Sequence, residues 1–336
     1  MMCGSCANEN AFKAAFIAAA ARRRAGAPFT ERELSSCMVN QSPGSPAYQV
    51  LSFQGAFHGR LLGCLSTTHS KAIHKLDVPA FDWPVAPFPR LRYPLEDHAA
   101  ANAAEEARCL AAVKSILDAD AAKMVAAVIV EPIQAEGGDF SASPGFFRAL
   151  QALAKAHGTY FIVDEVQTGC GASGAFWAHE AWQLASPPDA VTFSKKMQLA
   201  GYYCTEELVP TDAYRIFNTW MGDPVRLLQL EAVLGCIRDY DLLNNARDAG
   251  ARLTEGLTAL SKRFPAISNV RGVGTLVAFD APSAAERDVL VAALRARGVD
   301  IPVCGEATVR CRPGLFFARK HADQFLDILE KTLLSQ

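Results

Sequence analysis

Short runs of consecutive apolar residues alternate along this chain with longer segments whose apolar residues recur at helical spacing. Continuous apolar runs are typical of strands that are buried on both faces of a parallel sheet. The longer segments are typical of helices that cover such a sheet. The pattern therefore predicts strands at 125–130, 160–163 and 190–193. It predicts helices at 11–23, 104–116, 144–157 and 224–239.

The pattern changes near residue 245. From there, helical segments (246–263, 284–297 and 320–334) are separated by two strand-like segments (274–279 and 308–312). We predict a large α/β domain at 1–244, with a mostly parallel sheet and helices on both faces, followed by a smaller α+β domain at 245–336. The segment 79–94 is rich in proline and aromatic residues, and we expect an ordered surface excursion there.

Composition and charge exclude several classes of protein. The chain has 336 residues, of which 50% are hydrophobic, so a sizeable core can form. It carries 33 basic and 35 acidic residues, which gives no indication of a nucleic-acid partner. No apolar run approaches the ~20 residues that a membrane helix needs. The Ala-rich segment 11–24 ends in three arginines, and we interpret it as a folded helix with a favourable basic end, not as a targeting signal.

Polar residues follow each of the three predicted parallel strands. Glu131 follows the first strand, Asp164 the second and Lys195 the third. Ligands of open parallel sheets bind beyond these strand ends. A carboxylate and an amine on neighbouring strands are what pyridoxal phosphate chemistry requires, because the amine binds the aldehyde and the carboxylate keeps the pyridine nitrogen protonated. We therefore predict that Lys195 and Asp164 are catalytic.

Other residues could bind a phosphate or a carboxylate. Gly4 and Ser5 precede the first predicted helix and could form an anion site, or an ordinary helix cap. Phe57 could stack on a planar cofactor and Arg60 could bind a substrate carboxylate, although the tetrapeptide Phe-His-Gly-Arg could also be an ordinary turn.

Glu136 and Arg312 form a second candidate pair. An arginine that a glutamate can cover would let one site accept both a neutral-ended and a dicarboxylic substrate.

The Cys3-x-x-Cys6 motif has several interpretations. The ten cysteines of the chain are otherwise scattered, which is typical of free thiols in a reducing compartment and not of a disulfide framework. A zinc site needs four ligands and the chain has no second such motif, and a thioredoxin-like motif needs a preceding strand. Two subunits could instead each donate the pair to one shared [2Fe–2S] cluster. Two unpaired thiols are the remaining alternative.

Several stretches together resemble the class III aminotransferases, which are pyridoxal-phosphate-dependent enzymes of fold type I. They are residues 2–11, 53–60, 130–139, 162–169, 193–197 and 215–224. Within that family they resemble the group that acts on 4-aminobutyrate in animal mitochondria. The resemblance implies a homodimer in the mitochondrial matrix that transfers the amino group of 4-aminobutyrate to 2-oxoglutarate. The products would be succinic semialdehyde and glutamate.

The resemblance also implies roles for residues around the cofactor. Lys195, rather than Lys196, would bind its aldehyde covalently, and Asp164 would contact the pyridine nitrogen. The other cofactor contacts implied are stacking by Phe57, a hydrogen bond from Gln167 to the ring hydroxyl, and phosphate binding by Gly4, Ser5 and Thr219, the last from the partner subunit.

For the substrates and the cluster, the resemblance implies five residues. Arg60 would bind the carboxylate of 4-aminobutyrate. Arg312 would bind the second carboxylate of 2-oxoglutarate, and Glu136 would cover Arg312 when the monocarboxylate is bound. Cys3 and Cys6 would be ligands of the [2Fe–2S] cluster shared across the dimer.

The chain departs from the family in two respects. The family has a long segment before the Cys3-Gly4-Ser5-Cys6 motif, so we expect an amino-terminally truncated chain that is poorly soluble or weakly active alone. Cys170 replaces an expected glycine, and Leu199-Ala200 replaces Ile-Gly, which could disturb the cofactor site. The alternative functions are another ω-aminotransferase, acting on β-alanine or a diamine, and an inactive truncated paralogue or fragment.

Overall fold

A parallel sheet forms the centre of the larger part of the molecule. The computed structural model describes residues 1–122 and 124–335. Within these residues the sheet has six strands in the order β2-β1-β3-β4-β5-β6. Strands β1 to β5 run parallel, and β6 is antiparallel to β5. The strands are β1 (Gln49–Phe53), β2 (Val85–Ala86), β3 (Val125–Val130), β4 (Tyr160–Asp164), β5 (Ala190–Phe193) and β6 (Gly201–Cys204). The predicted mostly parallel sheet is confirmed.

Helices cover both faces of this sheet because alternate strand residues point to opposite sides. Val128 and Val130 pack in a core with α4 (Ala99–Ala119) and α5 (Pro144–Ala156), whereas Ala127 and Ile129 pack against α1. Helix α1 (Gly4–Arg24) is long, and its alanines allow it to lie close to the strands. The predicted two-sided arrangement is therefore present.

A second, antiparallel sheet has its own helices and core. Its strand order is β7-β8-β10-β9, and α7, α8 and α9 pack against it around Leu257, Phe279 and Leu329. Its elements are β7 (Ser268–Val273), β8 (Leu276–Asp280), β9 (Val303–Cys304), β10 (Thr308–Arg310), α7 (Leu242–Ser261), α8 (Ala284–Ala296) and α9 (Arg319–Leu333). The predicted division between residues 244 and 245 falls in the first turn of α7 and stays a proposal.

Several elements differ from the expectation. Helix α1 begins at Gly4, well before the predicted residue 11. By contrast, α6 (Pro224–Asp239) has its predicted bounds. The segment 79–94 is more than a surface excursion, because it adds the edge strand β2 and buries Phe88. The short helices α2 (Glu31–Cys37) and α3 (Leu62–Ser66) were not predicted, since neither has an amphipathic repeat long enough to recognise.

No helix in the described part of the chain is both long and apolar enough to cross a membrane.

Candidate active site

A cavity of about 160 Å³ opens at the carboxyl edge of the parallel sheet. Loops after β1, β3, β4 and β5 meet there with the first turn of α1, as expected for an open parallel sheet. The cavity brings together most of the predicted site residues. It is lined by Cys3, Gly4, Ser5, Phe57, His58, Gly59, Glu131, Ala135, Glu136, Asp164, Val166, Gln167 and Lys195.

A larger cavity of about 730 Å³ lies at the other end of α1, beside Arg24 and Phe29. None of the predicted site residues is among the described residues that line it. The smaller cavity is therefore the candidate active site.

The Asp164 carboxylate is buried and held by several donors. Its Oδ2 accepts hydrogen bonds from Asn8 Nδ2 and His58 Nδ1, each at 2.8 Å, and its Oδ1 accepts one from the Val166 N–H at 2.9 Å. The bond to His58 requires that the imidazole carry its proton on Nδ1. These contacts fix the direction in which the carboxylate faces the cavity.

Lys195 and Lys196 occupy different environments. Lys195 lines the cavity, and its ammonium has no hydrogen bond or ion pair within the described residues. Its backbone φ of 51° is in the left-handed region, which turns the chain sharply after β5. Lys196 does not line the cavity, and burial together with the charge of Arg312 lowers the pKa of its ammonium.

The amino end of α1 forms a glycine-lined wall of the cavity. Cys3 is the N-cap but provides no side-chain hydrogen bond to the first turn, so the helix amides are not capped by it. A Cβ on Gly4 would lie 2.6 Å from Val166 Cγ1, and a Cβ on Gly59 would lie 2.1 Å from Ser5 Oγ. These glycines allow α1 and the adjoining loops to pack closely, and the amino end of a helix is itself suited to an anion such as a phosphate.

Glu136 pairs with a different arginine from the one predicted. Its Oε1 accepts a hydrogen bond from Arg310 Nη2 at 2.6 Å, whereas Arg312 pairs with the carboxylate of Asp139. Burial raises the pKa of Glu136, but the bond and the charge of Arg310 outweigh it and leave the pKa below its usual value. The predicted Glu136–Arg312 pair is therefore wrong. Both arginines lie in the strand-like segment 308–312, and the sequence pattern does not distinguish which one faces Glu136.

Arg60 and Thr219 lie outside the cavity lining. The Arg60 backbone N–H donates to Ser5 Oγ at 3.3 Å, and its guanidinium carbon is 5.5 Å from the centre of the Phe57 ring. Thr219 is exposed, on the segment that leads into α6. The roles predicted for these two residues stay predictions.

The Cys3 and Cys6 sulfurs are 3.7 Å apart at the start of α1, and Cys3 is exposed. Burial and the neighbouring Cys3 raise the pKa of Cys6. Among the described residues, no group of three or more His, Cys, Asp or Glu side chains could hold a metal ion. The described part of one chain thus offers these two thiols and no further metal ligand beside them.

Cys170, which replaces the expected glycine, is fully buried and has a φ of 68°. Non-glycine residues rarely adopt this conformation, so the substitution strains the loop after β4. Its side chain packs with Phe193 and Met197, which compensates for part of that strain.

Sequence reasoning missed three residues of this site. His58 was noted only as part of its motif, and Asn8 was given no role, yet both bind Asp164. Asn8 follows Gly4 by one helical turn and so lies on the same face of α1, which is the signal that could have identified it. Arg310 was not considered as the partner of Glu136.

Comparison with known proteins shows similarity over nearly the whole chain. The sequence profile of the family described as "Aminotransferase class-III" matches residues 1–333. The 4-aminobutyrate aminotransferase of Dictyostelium discoideum is 54% identical over 333 residues, which cover 99% of this chain and 67% of that protein. The mitochondrial 4-aminobutyrate aminotransferases of Sus scrofa and Homo sapiens are each 52% identical over 336 residues, with the same coverage. The chain therefore spans about two thirds of the length of these relatives.

The fold also matches solved structures. A lysine aminotransferase from M. tuberculosis, solved in the internal aldimine form, superposes with a TM-score of 0.85 at 33% sequence identity. The match covers 100% of this chain and 74% of that one. The overall fold is therefore similar to that of this solved aminotransferase.

Proposed function

The chain belongs to the class III aminotransferase family, and we propose that it is a pyridoxal-phosphate-dependent enzyme that transfers the amino group of 4-aminobutyrate to 2-oxoglutarate. The observation that carries this proposal is the meeting of Lys195, Asp164 and the Gly4–Ser5 turn around one cavity. Identity above 50% to relatives named for 4-aminobutyrate supports the choice of substrate.

The residues of the cavity fit pyridoxal phosphate. The amides of α1 that Cys3 leaves uncapped suit the phosphate, and Asp164 lines the cavity with a carboxylate that could pair with the pyridine nitrogen. The buried Nε2 of His58 and Oδ1 of Asn8 have no hydrogen-bond partner within the described residues. When bound, the cofactor supplies an electron sink for the carbon that loses and gains the amino group.

The residues that line the cavity would have different roles in the reaction. Lys195 would bind the cofactor aldehyde and, once released, its Nζ would carry a proton between the substrate carbon and the cofactor carbon. Asp164, oriented by His58 and Asn8, would hold the proton on the pyridine nitrogen. Phe57 would pack on the ring and Gln167 would bind the ring hydroxyl.

Substrate choice would depend on two arginines. Arg60 would bind the carboxylate that both substrates share. Arg310, now in place of Arg312, would bind the second carboxylate of 2-oxoglutarate after Glu136 moves away. With 4-aminobutyrate, Glu136 would stay paired and neutralise Arg310.

Arg310→Lys is expected to impair the half-reaction with 2-oxoglutarate by about 100-fold and that with 4-aminobutyrate by less than about tenfold, because lysine loses the planar fork. Arg312→Lys is the matched control and is expected to affect the two halves equally, since Arg312 pairs with Asp139. Single-turnover absorbance measurements of each half provide the test. A selective loss in Arg312→Lys, with none in Arg310→Lys, would restore the assignment made from the sequence.

We propose a homodimer because the segment before and within α6 exposes a run of large apolar side chains. Such contiguous exposure is unusual for a monomer and marks an interface. The residues are Tyr214, Phe217, Trp220, Met221, Val225, Leu227 and Leu228. Thr219 lies within this run, and in such a dimer it would contact the cofactor phosphate of the partner subunit, as the family resemblance implies.

The same dimer would complete a [2Fe–2S] site, since Cys3 and Cys6 provide two of the four thiolates that such a cluster needs. After anaerobic reconstitution, we expect about two irons per dimer and none in the monomer. Cys3→Ser and Cys6→Ser should each lose the iron, whereas Cys37→Ser, outside the pair, should keep it. Iron analysis after size separation is the measurement, and iron-loaded monomer would contradict the shared cluster.

Comparing turnover of 4-aminobutyrate, β-alanine and ornithine tests the substrate assignment. We expect 4-aminobutyrate to have the highest kcat/KM. A preference for ornithine would indicate another ω-aminotransferase.

We also propose a mitochondrial location, on the ground that the animal relatives are named as mitochondrial. Fractionation of cells that produce the protein would test it.

A further inference from the structure

Glu131 joins two loops at the wall of the candidate active site. Its side chain lines the cavity and the residue is buried. The carboxylate accepts a hydrogen bond from the Phe57 N–H at 2.9 Å through Oε1 and one from the Ala135 N–H at 3.2 Å through Oε2. Phe57 belongs to the loop after β1, whereas Ala135 belongs to the loop after β3 and precedes Glu136.

An ionised carboxyl group is energetically unfavourable at the position of Glu131. Burial raises the pKa of Glu131 well above its usual value, the charge of Asp164 adds to this, and the two N–H donors oppose it. A buried carboxyl close to a second carboxylate destabilises a protein unless its hydrogen bonds compensate. An apolar residue could fill the same space, but it could not accept the hydrogen bonds from Phe57 and Ala135. The presence of a glutamate is therefore explained by these two hydrogen bonds.

We propose that Glu131 is a positioning residue that fixes the Phe57 backbone, and with it the ring, against the cofactor and sets the loop that carries Glu136. The inference rests on the proposed function, since it assumes that Phe57 packs on pyridoxal phosphate. Glu131 acts through Phe57 and Ala135 and takes no part in the chemistry itself.

A purely structural role, in which Glu131 only ties the two loops together, can be separated by a matched control. Gln134 joins the same loops, because its Nε2 donates to the Gln54 carbonyl at 2.9 Å, and it is as deeply buried. Gln134 does not line the cavity. Gln134→Ala therefore removes a tie between the same loops without touching Phe57.

The test compares Glu131→Ala, Glu131→Gln and Gln134→Ala, measuring the visible circular dichroism of bound pyridoxal phosphate, the Kd of the cofactor and thermal stability. Glu131→Ala should weaken cofactor binding about tenfold and reduce the dichroic signal, because an unpaired N–H and a displaced ring result. Glu131→Gln keeps an acceptor for the Phe57 N–H and should restore most of both signals. Gln134→Ala should lower stability while leaving both cofactor signals at the wild-type level.

Equal changes in the cofactor signals of Glu131→Ala and Gln134→Ala would overturn the proposal. If Glu131→Ala does not fold, Glu131→Gln provides the test. Cofactor affinity and dichroism close to those of the wild type would support the proposal, and values as low as those of an unfolded chain would contradict the proposal. All three readouts are made without an amino substrate. A protein that binds the cofactor but does not react with 4-aminobutyrate therefore fails the proposed function and leaves this comparison intact.

Discussion

Lys195→Ala is expected to abolish covalent attachment of the cofactor and, with it, all measurable amino transfer. The reason is that Lys195 is the amine on the cavity wall, at the end of β5 and free of other partners within the described residues. Borohydride reduces a carbon–nitrogen double bond to a stable amine, so wild-type protein should retain the cofactor through denaturation and Lys195→Ala should release it.

Lys196→Ala is the matched control for this experiment, because it removes the same ammonium from the next position in the chain. Lys196 is outside the cavity lining, so the variant should still retain reduced cofactor. Peptide mapping of the reduced wild-type protein should locate the label on Lys195. A label on Lys196, or equal retention in all three proteins, would contradict the assignment.

Asp164→Asn is expected to reduce the rate of each half-reaction by about 10³-fold, which corresponds to about 4 kcal/mol of transition-state stabilisation. The substitution keeps the shape of the side chain but removes the charge that would keep the pyridine nitrogen protonated. Its amide NH2 would also face a donor in either orientation, because Asn8 and His58 both donate to the native Oδ2 and the Val166 N–H donates to Oδ1. Stopped-flow absorbance of each half-reaction gives the rates.

A half-buried carboxylate just before strand β5 provides the control. Asp189 accepts a hydrogen bond from the Phe161 N–H at 2.7 Å at the opposite end of the strands, so Asp189→Asn should lower stability with little effect on the half-reactions. A loss of less than about tenfold in Asp164→Asn would mean that this residue is not the partner of the pyridine nitrogen.

The sequence predicted the parallel sheet because its strands are unbroken apolar runs buried on both faces. Val125–Val130 and Ala190–Phe193 have the predicted bounds. The runs also placed Glu131, Asp164 and Lys195 at strand ends, which is why the chemistry of the cavity could be predicted before its shape. Strand β2 could not be predicted, because two residues are too few to show an alternating hydrophobic pattern. The strand is recognisable only from its pairing with β1 in the folded structure.

The contacts that depend on register could not be predicted in the same way. Arg310 and Arg312 alternate with Cys311 along one extended segment, and which of them faces Glu136 follows from how the second sheet sits against the cavity. The orientation of Asp164 by His58 likewise joins two residues that are distant in sequence. Each of these is a side-chain pairing across elements, to which local patterns are insensitive.

The most direct test of the central claim is to follow the two half-reactions separately on the purified protein with bound pyridoxal phosphate. With 4-aminobutyrate and no acceptor, the account predicts a change in the cofactor spectrum and about one equivalent of succinic semialdehyde per subunit. Addition of 2-oxoglutarate should then restore the spectrum and release about one equivalent of glutamate. The account would be contradicted by a protein that binds the cofactor but gives no semialdehyde from 4-aminobutyrate, while another amine produces the same change in the cofactor spectrum.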